Sequence, residues 1–423
     1  MMGKIRVLSV STSDSSGGAA RAAYRIHKAV QAEGIGSRMF VKDKGMEDPD
    51  VLALSEFIPT NPLYKACDWV QNKVKNKWQH YRWGKYPDKG PYFMSDLRST
   101  DIGGALQKLD YDILHLHWVN LRFLPLDKLP KDKPIVWTLH DSWPFCGICH
   151  VPMDCTRYQA ECGCCPQLGS AKTDDLSHRI WTDKRRLFKD LDLHIVAPSH
   201  WLADCARRSA LFKDRDIRVI PNCLDTDTFC PGDRVEACRR FGLDPARRHI
   251  LFGAMQAVED KNKGFDYLVQ ALEQIGPELS ADTDLVVFGT TKPIAAEIGG
   301  LKVSSIGLLR NQEDIVRAYR AADVAVVPSL SENLSCTVME SMACGTPAVA
   351  FAIGGNGDLI DHQINGYLAR EKDCGDLAQG IRWCLDHARD LAPVASGKVI
   401  GNFTPVVVGK KYAGLYRSLF DKK

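Results

Sequence analysis

At 423 residues the chain exceeds the size one hydrophobic core usually serves, so two domains of roughly 200 residues each are expected. Its 45% hydrophobic and 25% charged residues exclude wholesale disorder. A formal charge of +3 excludes nucleic acid as a partner gathered by global charge and leaves only local basic patches.

The first segment, MMGKIRVLSVSTSD, carries a short apolar run that ends in polar residues, which reads as a buried strand and not as a signal peptide. Nothing approaches the ~18 consecutive apolar residues of a membrane span, so a cytoplasmic protein is expected. Gly17 and Gly18 follow, ahead of ARAAYRIHKAVQAEG, whose Ala22, Ile26, Ala29 and Val30 form one apolar helical face. A glycine pair at such a turn lets the backbone approach a ligand, although βα turns also carry glycine for structural reasons alone. The stretch 63–87 mixes Tyr64, Trp69, Trp78, Tyr81, Trp83 and Tyr86 with Lys65, Lys73, Lys75, Lys77, Arg82 and Lys85. That combination suits an anionic lipid surface, with a solvated helix as the alternative.

Short apolar runs then recur as predicted parallel strands: 5–10, 112–118, 134–140 and 193–199 in the first half; 249–255, 284–290, 323–329 and 347–353 in the second. The strand 112–118 carries His115 and His117, expected to be structural, one facing the core and the other the mouth of a cleft. His140 and Asp141 end the next strand, where side chains of a doubly wound sheet meet ligands. Between 145 and 169 six cysteines cluster, of which Cys149, Cys155, Cys162 and Cys165 follow a C-x5-C-x6-C-x2-C spacing. In a reducing compartment this points to a structural zinc site, with free thiols or a disulfide as alternatives.

The run IPNCLDTDTFCPGD at 220–233 breaks the β/α rhythm and places the linker. The expected fold class is α/β, two Rossmann-like domains facing a cleft: residues 1–220 with the insert 145–169, and 221–403. Thr404 and Pro405 then read as the cap and first turn of a terminal helix, 404–423, that crosses back to complete the first domain, with Val408, Leu415 and Leu419 as its buried stripe.

The most informative segment is PSLSENLSCTVMESMACGTPAVAFAIGGNG, 328–357. A strand ends, Glu332 lies in the loop, a helix opens near Leu334 or Ser335, and Glu340 follows on it. Unpaired backbone N–H groups and the positive end of the helix dipole suit a diphosphate there. Taken alone, the two glutamates read equally as a solvated loop residue and an exposed helix residue.

In context, E-x7-E between a Pro-Ser strand end and ESMACGTPAVAFAIGG resembles the C-terminal signature of glycosyltransferase family 4. The likeness extends to the Gly-Gly loop, TLHD at 138–141, IPNCLDTDTF at 220–229 and KGFDYLVQAL at 263–272. It implies a retaining transferase of the GT-B fold that uses a nucleotide-sugar donor such as a UDP- or GDP-sugar and requires no cofactor for catalysis. By the same likeness Glu332 and His140 meet the donor sugar, Glu340 the ribose, and the amides of Asn333, Leu334 and Ser335 the phosphates. Gly17 and Gly18 face the donor phosphates or the acceptor, and Lys263 neutralises the departing diphosphate. The family's arginine shortly before that lysine is missing from GAMQAVEDKNKG, and Lys261 stands as its substitute. A cysteine-rich insert after TLHDSWPF also resembles one in enzymes of bacterial surface-polysaccharide pathways. The implied acceptor is a glycan or polyprenyl-diphosphate-linked sugar in exopolysaccharide, capsule or lipopolysaccharide assembly, at the inner face of the plasma membrane. Two other classes compete: an NAD-dependent oxidoreductase, whose G-x-G-x-x-G is absent from SDSSGGAARAA, and a zinc-stabilised nucleic-acid-binding protein, which the charge disfavours.

Overall fold

The computed structural model describes residues 5–58, 69–70, 73–74, 77, 81–86, 89–90, 103–254 and 256–421. The chain divides into two compact units: Met1–Pro198 with Leu202–Ile220 and Gly409–Lys423, and Ser199–Trp201 with Pro221–Val408.

The first unit is a seven-stranded parallel sheet. In chain order its strands are β1 (Arg6–Ser13), β2 (Gly36–Asp43), β3 (Val51–Ala53), β4 (Ile113–Leu116), β5 (Ile135–Thr138), β6 (Leu193–Ala197) and β7 (Ile217–Val219). They lie side by side as β3-β2-β1-β4-β5-β6-β7. The helices whose bounds are described are α1 (Gly18–Ala32), α2 (Gly103–Lys108), α3 (Leu176–Phe188) and α4 (His200–Arg208). ILHL and IVWT are buried at every position, as in a parallel sheet covered on both faces. The strand β2, GSRMFVKD, has an apolar run of only three residues, Met39, Phe40 and Val41, between polar and charged flanks, too short to announce an eight-residue strand.

The expectation for His115 and His117 needs correction. Residues two apart on a strand share a face, and both rings are buried, 0% and 2% exposed, with centroids 4.1 Å apart.

The second unit repeats the architecture with β8 (Arg248–Gly253), β9 (Thr283–Phe288), β10 (Glu297–Ile298), β11 (Leu301–Gly307), β12 (Val324–Val327), β13 (Ala348–Phe351) and β14 (Gly366–Ala369). Their order is β10-β11-β9-β8-β12-β13-β14, with only the edge strand β10 antiparallel among the described pairs. Its helices are α5 (Arg234–Arg240), α6 (Phe265–Leu279), α7 (Gln312–Ala321), α8 (Cys336–Ala343), α9 (Asn356–Leu359) and α10 (Cys374–Asn402).

The last helix, α11 (Pro405–Phe420), returns the chain to the first unit from Gly409 onward. Thr404 Oγ1 accepts the Val407 N–H at 3.3 Å, as a cap does. Val408, Leu415 and Leu419 are buried, joined by Tyr412 and Tyr416. Gly409 lets α11 lie close on α1, since a Cβ there would stand 2.6 Å from the Ala29 carbonyl oxygen. By length and apolarity alone, Cys374–Phe420 contains a window able to cross a membrane. Leu377, Ile381, Leu391 and Val399 pack instead in the cores of the second unit.

Of the aromatic and basic stretch 63–87, Tyr64, Lys65, Lys75 and Trp78 lie outside the described residues. Trp69 and Tyr81 are exposed, with Lys73 Nζ 3.9 Å and Lys85 Nζ 4.7 Å from their respective ring centres. Tyr86 is structural: its hydroxyl accepts the Leu176 N–H at the start of α3 at 3.0 Å.

Candidate active site

In the second unit the site grows from the carboxyl ends of β8 and β12. After β8 a single turn, Lys261–Lys263, is capped by Asp260, which accepts the Asn262 N–H at 2.9 Å. It ends in Gly264 at φ 74°, where a Cβ would stand 1.9 Å from the Pro328 carbonyl oxygen. Only glycine fits both the dihedral and the contact. This closeness ties the turn to the loop after β12: Leu330 N–H donates to Asn262 O at 2.8 Å, and Asn262 Nδ2 donates to Ser331 O at 3.1 Å. From the other side Gly354, φ 51°, and Gly355 press on the carbonyls of Glu332 and Asn333, with Cβ separations of 1.7 and 1.9 Å. The glutamate loop is thus clamped between two glycine-bearing turns.

The clamp brings Lys263 Nζ to 3.3 Å from Glu332 Oε1. The Glu332 charge raises the Lys263 pKa above its usual value against the opposing effect of burial. Both residues line a small pocket with Gly253, Ala254, Ser329 and Thr337. Ser329 is 1% exposed, and its Oγ has no hydrogen-bond partner among the described residues. Ser329 was not singled out in the sequence; only its place beside Pro328 at a strand end signalled it.

Helix α8 opens where expected, with Ser335 as its cap: Ser335 Oγ accepts the Val338 N–H at 3.4 Å. Leu334 is buried, and Asn333 Oδ1 accepts from Ser199 Oγ at 3.0 Å. Glu340 is not an exposed helix residue. It is 8% exposed, and Tyr319 Oη donates to its Oε2 at 3.3 Å. Burial first, then the Glu340 charge, holds the Tyr319 hydroxyl far above the usual phenol range. Tyr319 sits on α7, distant in sequence, and had no local signal. Lys261 is exposed on its turn, while Lys263 is the lysine paired with Glu332.

In the first unit two sequence-predicted features sit at carboxyl ends of the sheet. Gly17 caps α1 at φ 89° with no side-chain cap bond and no acidic residue in the first turn, and Gly18 begins the helix. A Cβ on Gly17 would meet nothing within 4 Å, so the dihedral, not crowding, selects glycine. The first N–H groups of α1 thus face no side-chain carboxylate of their own turn, as an anion-binding helix end requires.

His140, half-buried, follows β5 and begins a chain of rings that runs into the core. Its Nε2 lies 3.1 Å from His117 Nδ1. Beneath them His115 Nε2 pairs with Thr138 Oγ1 at 2.8 Å, and His115 Nδ1 with Tyr416 Oη at 2.7 Å. Tyr412 Oη meets Thr138 Oγ1 at 2.8 Å, so α11 ties into the strand ends. Burial holds the pKa of His140 down to about 4, that of His115 down to about 3, and that of His117 well below the usual value. At neutral pH His140 is therefore a neutral imidazole, fit to hydrogen-bond a sugar hydroxyl and not to act as a cation. Asp141 is fully employed in structure, receiving Trp118 Nε1 at 2.8 Å, Trp143 N–H at 2.9 Å and His150 Nδ1 at 2.7 Å.

The cysteine stretch folds as an irregular loop with two short turns, Arg157–Gln159 and Pro166–Leu168. Every cysteine among the described residues is a free thiol. Among those residues no group of three or more His, Cys, Asp or Glu side chains already stands at metal-ligating separation. Interaction with the neighbouring Cys149 thiol is the main influence lowering the pKa of Cys165, whereas burial raises that of Cys162.

Comparison with known proteins fits this geometry. The sequence profile described as Glycosyltransferase Family 4 matches residues 16–228, half of the chain, and that described as Glycosyl transferases group 1 matches 247–387. A D-inositol 3-phosphate glycosyltransferase of Mycobacterium sp. (strain KMS) is 35% identical over 178 residues. That stretch is 39% of this chain and 38% of the relative, so the match spans well under two thirds of the relative's length. Among solved structures, Anabaena HepE in complex with UDP-glucose superposes with a TM-score of 0.61 at 16% identity, covering 98% of this chain and 100% of that one. WaaG, a glycosyltransferase involved in lipopolysaccharide biosynthesis, gives 0.56 at 16% identity, covering 97% and 99%. At those identities the superpositions establish the fold, which is GT-B, while the profile match establishes kinship: the chain belongs to Glycosyltransferase Family 4.

Proposed function

We propose that the protein transfers a hexosyl group from a nucleoside-diphosphate sugar to a hydroxyl of a glycan or lipid-linked acceptor, with retention at the anomeric carbon. The observation that carries this reading is the Lys263–Glu332 pair, held at 3.3 Å in a pocket at the carboxyl ends of β8 and β12. A diphosphate bound at the mouth of this pocket takes Lys263 as its counter-ion and releases Glu332 to the sugar hydroxyls. Ser329 Oγ adds an unpaired hydroxyl, and the opening turn of α8 adds backbone amides around Asn333, Leu334 and Ser335. Glu340, positioned by Tyr319, accepts the ribose hydroxyls.

In the reaction the acceptor oxygen bonds to the anomeric carbon on the face from which the diphosphate departs. The bond to the β-phosphate oxygen breaks, and that oxygen takes the acceptor's proton. Lys263 and the amides stabilise the growing charge, and neutral His140 and Glu332 hold the sugar, so catalysis rests on position and electrostatics. No catalytic metal is invoked, and activity is expected to survive EDTA. HepE binds UDP and UDP-glucose, which makes UDP-sugars the first donors to try. WaaG's involvement in lipopolysaccharide biosynthesis favours a lipopolysaccharide or other surface-polysaccharide acceptor; were that acceptor membrane-borne, the exposed Trp69 and Tyr81 with their lysines would meet the membrane.

The test is thermal stabilisation by UDP, GDP, ADP, CMP and NAD, followed by proton NMR of the product formed from an α-linked donor. A shift with one nucleoside diphosphate, abolished in Glu340→Ala, and an α-configured product support the reading. A shift with NAD alone, or salt-sensitive RNA binding without any nucleotide response, would replace it with one of the competing classes.

A further inference from the structure

The mechanism leaves the cysteine loop unused, yet its thiols are not scattered. Cys146, Cys149, Cys155, Cys162 and Cys165 all line one pocket. The pocket measures about 10 Å³, room for a single atom-sized guest. A water there needs two to four polar partners to be stable, and thiols are weak ones. A soft cation bound by thiolates suits the same space and the same lining.

The surroundings are those of an anionic centre. Lys184, on α3, is 0% exposed, and its Nζ donates to three backbone carbonyls: Trp143, Cys146 at 2.8 Å and Gly147 at 3.2 Å. Three acceptors for three N–H bonds is the geometry of an ammonium ion. A buried cation among neutral carbonyls calls for negative charge nearby. The face of the Trp143 ring, 3.6 Å from Nζ, and the Asp141 charge meet part of that cation's need, and a zinc ion with four thiolates, which carries net negative charge, suits the remainder. The same turn also reaches the sulfur: Gly147 N–H donates to Cys162 Sγ at 3.2 Å. Amide donors of this kind orient thiolate ligands and disperse their charge. Glycine is needed at 147, because a Cβ would stand 2.3 Å from the Ser177 carbonyl oxygen and 3.2 Å from Cys162 Cβ. A second fixed point is Asp175, which caps α3 through Ser177 and His178 and also accepts the Cys165 N–H at 2.8 Å. The loop is thus anchored at both ends before any ligand arrives.

From this arrangement we propose that Cys149, Cys155, Cys162 and Cys165 bind one structural zinc ion as a four-thiolate site, with Lys184 and the Gly147 amide as its outer partners. Cys146 lies deepest of the five and serves through its carbonyl on Lys184; Cys164 does not line the pocket. As the thiols lose their protons the sulfurs draw in to the ~2.3 Å bonds of zinc thiolates, and the loop, which has little regular structure of its own, gains its central cross-link. The site is independent of the transfer reaction and stands or falls on metal content.

The experiment uses the full chain, without a histidine tag, made in zinc-supplemented medium and purified without oxygen or chelator. Elemental analysis is expected to give one zinc per chain. A mercurial reagent should release it with a parallel rise in reactive thiols, and cobalt in its place should show the thiolate charge-transfer and tetrahedral bands of a four-sulfur site. Cys146→Ser and Cys164→Ser keep the metal; Cys155→Ser combined with Cys162→Ser loses it. Should that double variant fail to fold, the mercurial and cobalt measurements on the unaltered chain still decide. Substoichiometric zinc together with no cobalt–thiolate band overturns the proposal, as does an intact mass two hydrogens lighter, which would mark a Cys149–Cys165 disulfide instead.

Discussion

The two units share one architecture and prepare opposite kinds of chemistry at their strand ends. In the second unit the sheet delivers charge: Lys263 on Glu332, held by a loop clamped between Gly264 and the Gly354–Gly355 pair. In the first it delivers neutrality: the half-buried His140 and the buried His117 and His115, uncharged, with His115 and Thr138 braced by Tyr416 and Tyr412 of the returning helix. In the proposed reaction a leaving diphosphate needs a cation, whereas an imidazole beside the sugar serves best uncharged, since a cation there would oppose the positive charge growing on the ring. The contrast lies not in the fold but in what each strand end is packed against.

The sharpest way to break this contrast is Lys263→Ala. If the second unit supplies the charge, kcat should fall by about 10²–10³, the range for losing one preorganised charge-stabilising donor, with the melting temperature little changed. Retained turnover would remove Lys263 from the mechanism.

Gly264→Ala tests the clamp instead of the charge. The left-handed dihedral costs about 1–2 kcal/mol with a Cβ, and the contact with Pro328 O adds overpacking of about 1–3 kcal/mol. Urea titration should show that loss, and activity should fall with it as the Glu332 loop shifts. An unchanged midpoint would mean the loop is not held from this side.

Glu340→Ala should raise the donor KM by about tenfold or more, the equivalent of one hydrogen bond to a charged group, with kcat less affected. Tyr319→Phe should move KM in the same direction by less, since it removes only the donor that positions the carboxylate. Equal binding of UDP by all three proteins would contradict the ribose assignment.

The first unit's neutrality has a pH signature. His140 is held down to about 4 and His115 to about 3, against an ordinary value near 6.5. Between those limits the unfolded chain binds protons that the folded chain refuses. The stability they confer is therefore whole above pH 6.5 and is lost as pH falls toward 4. Replacing His115 by Phe should flatten that slope in urea midpoints measured from pH 7 to 4.5, while costing about 1–2 kcal/mol at pH 7 for the bonds to Thr138 and Tyr416. Parallel slopes in both proteins would show that His115 is not a proton-refusing site.

The core strands of both sheets were legible because buried parallel strands are continuous apolar runs. The strands β2, β7 and β14 were not: β2 has an apolar run of only three residues, and β7 and β14 are short and lie at sheet edges. The returning helix was readable from Thr404, Pro405 and its apolar stripe, but its tyrosines could not be foreseen as partners of His115 and Thr138.

The sequence by itself determined the two β/α series, the linker near 220, the helix that opens at Ser335 and the spacing of Glu332 and Glu340, because these rest on local periodicity, capping and turn chemistry. Tertiary structure alone decided that Lys263 and not Lys261 meets Glu332, that Glu340 is buried under Tyr319, that His115 meets Tyr416, and that five thiols surround one small pocket. Each of these depends on which distant segments a glycine or a small turn allows to touch, and contact across the fold leaves no period in the chain.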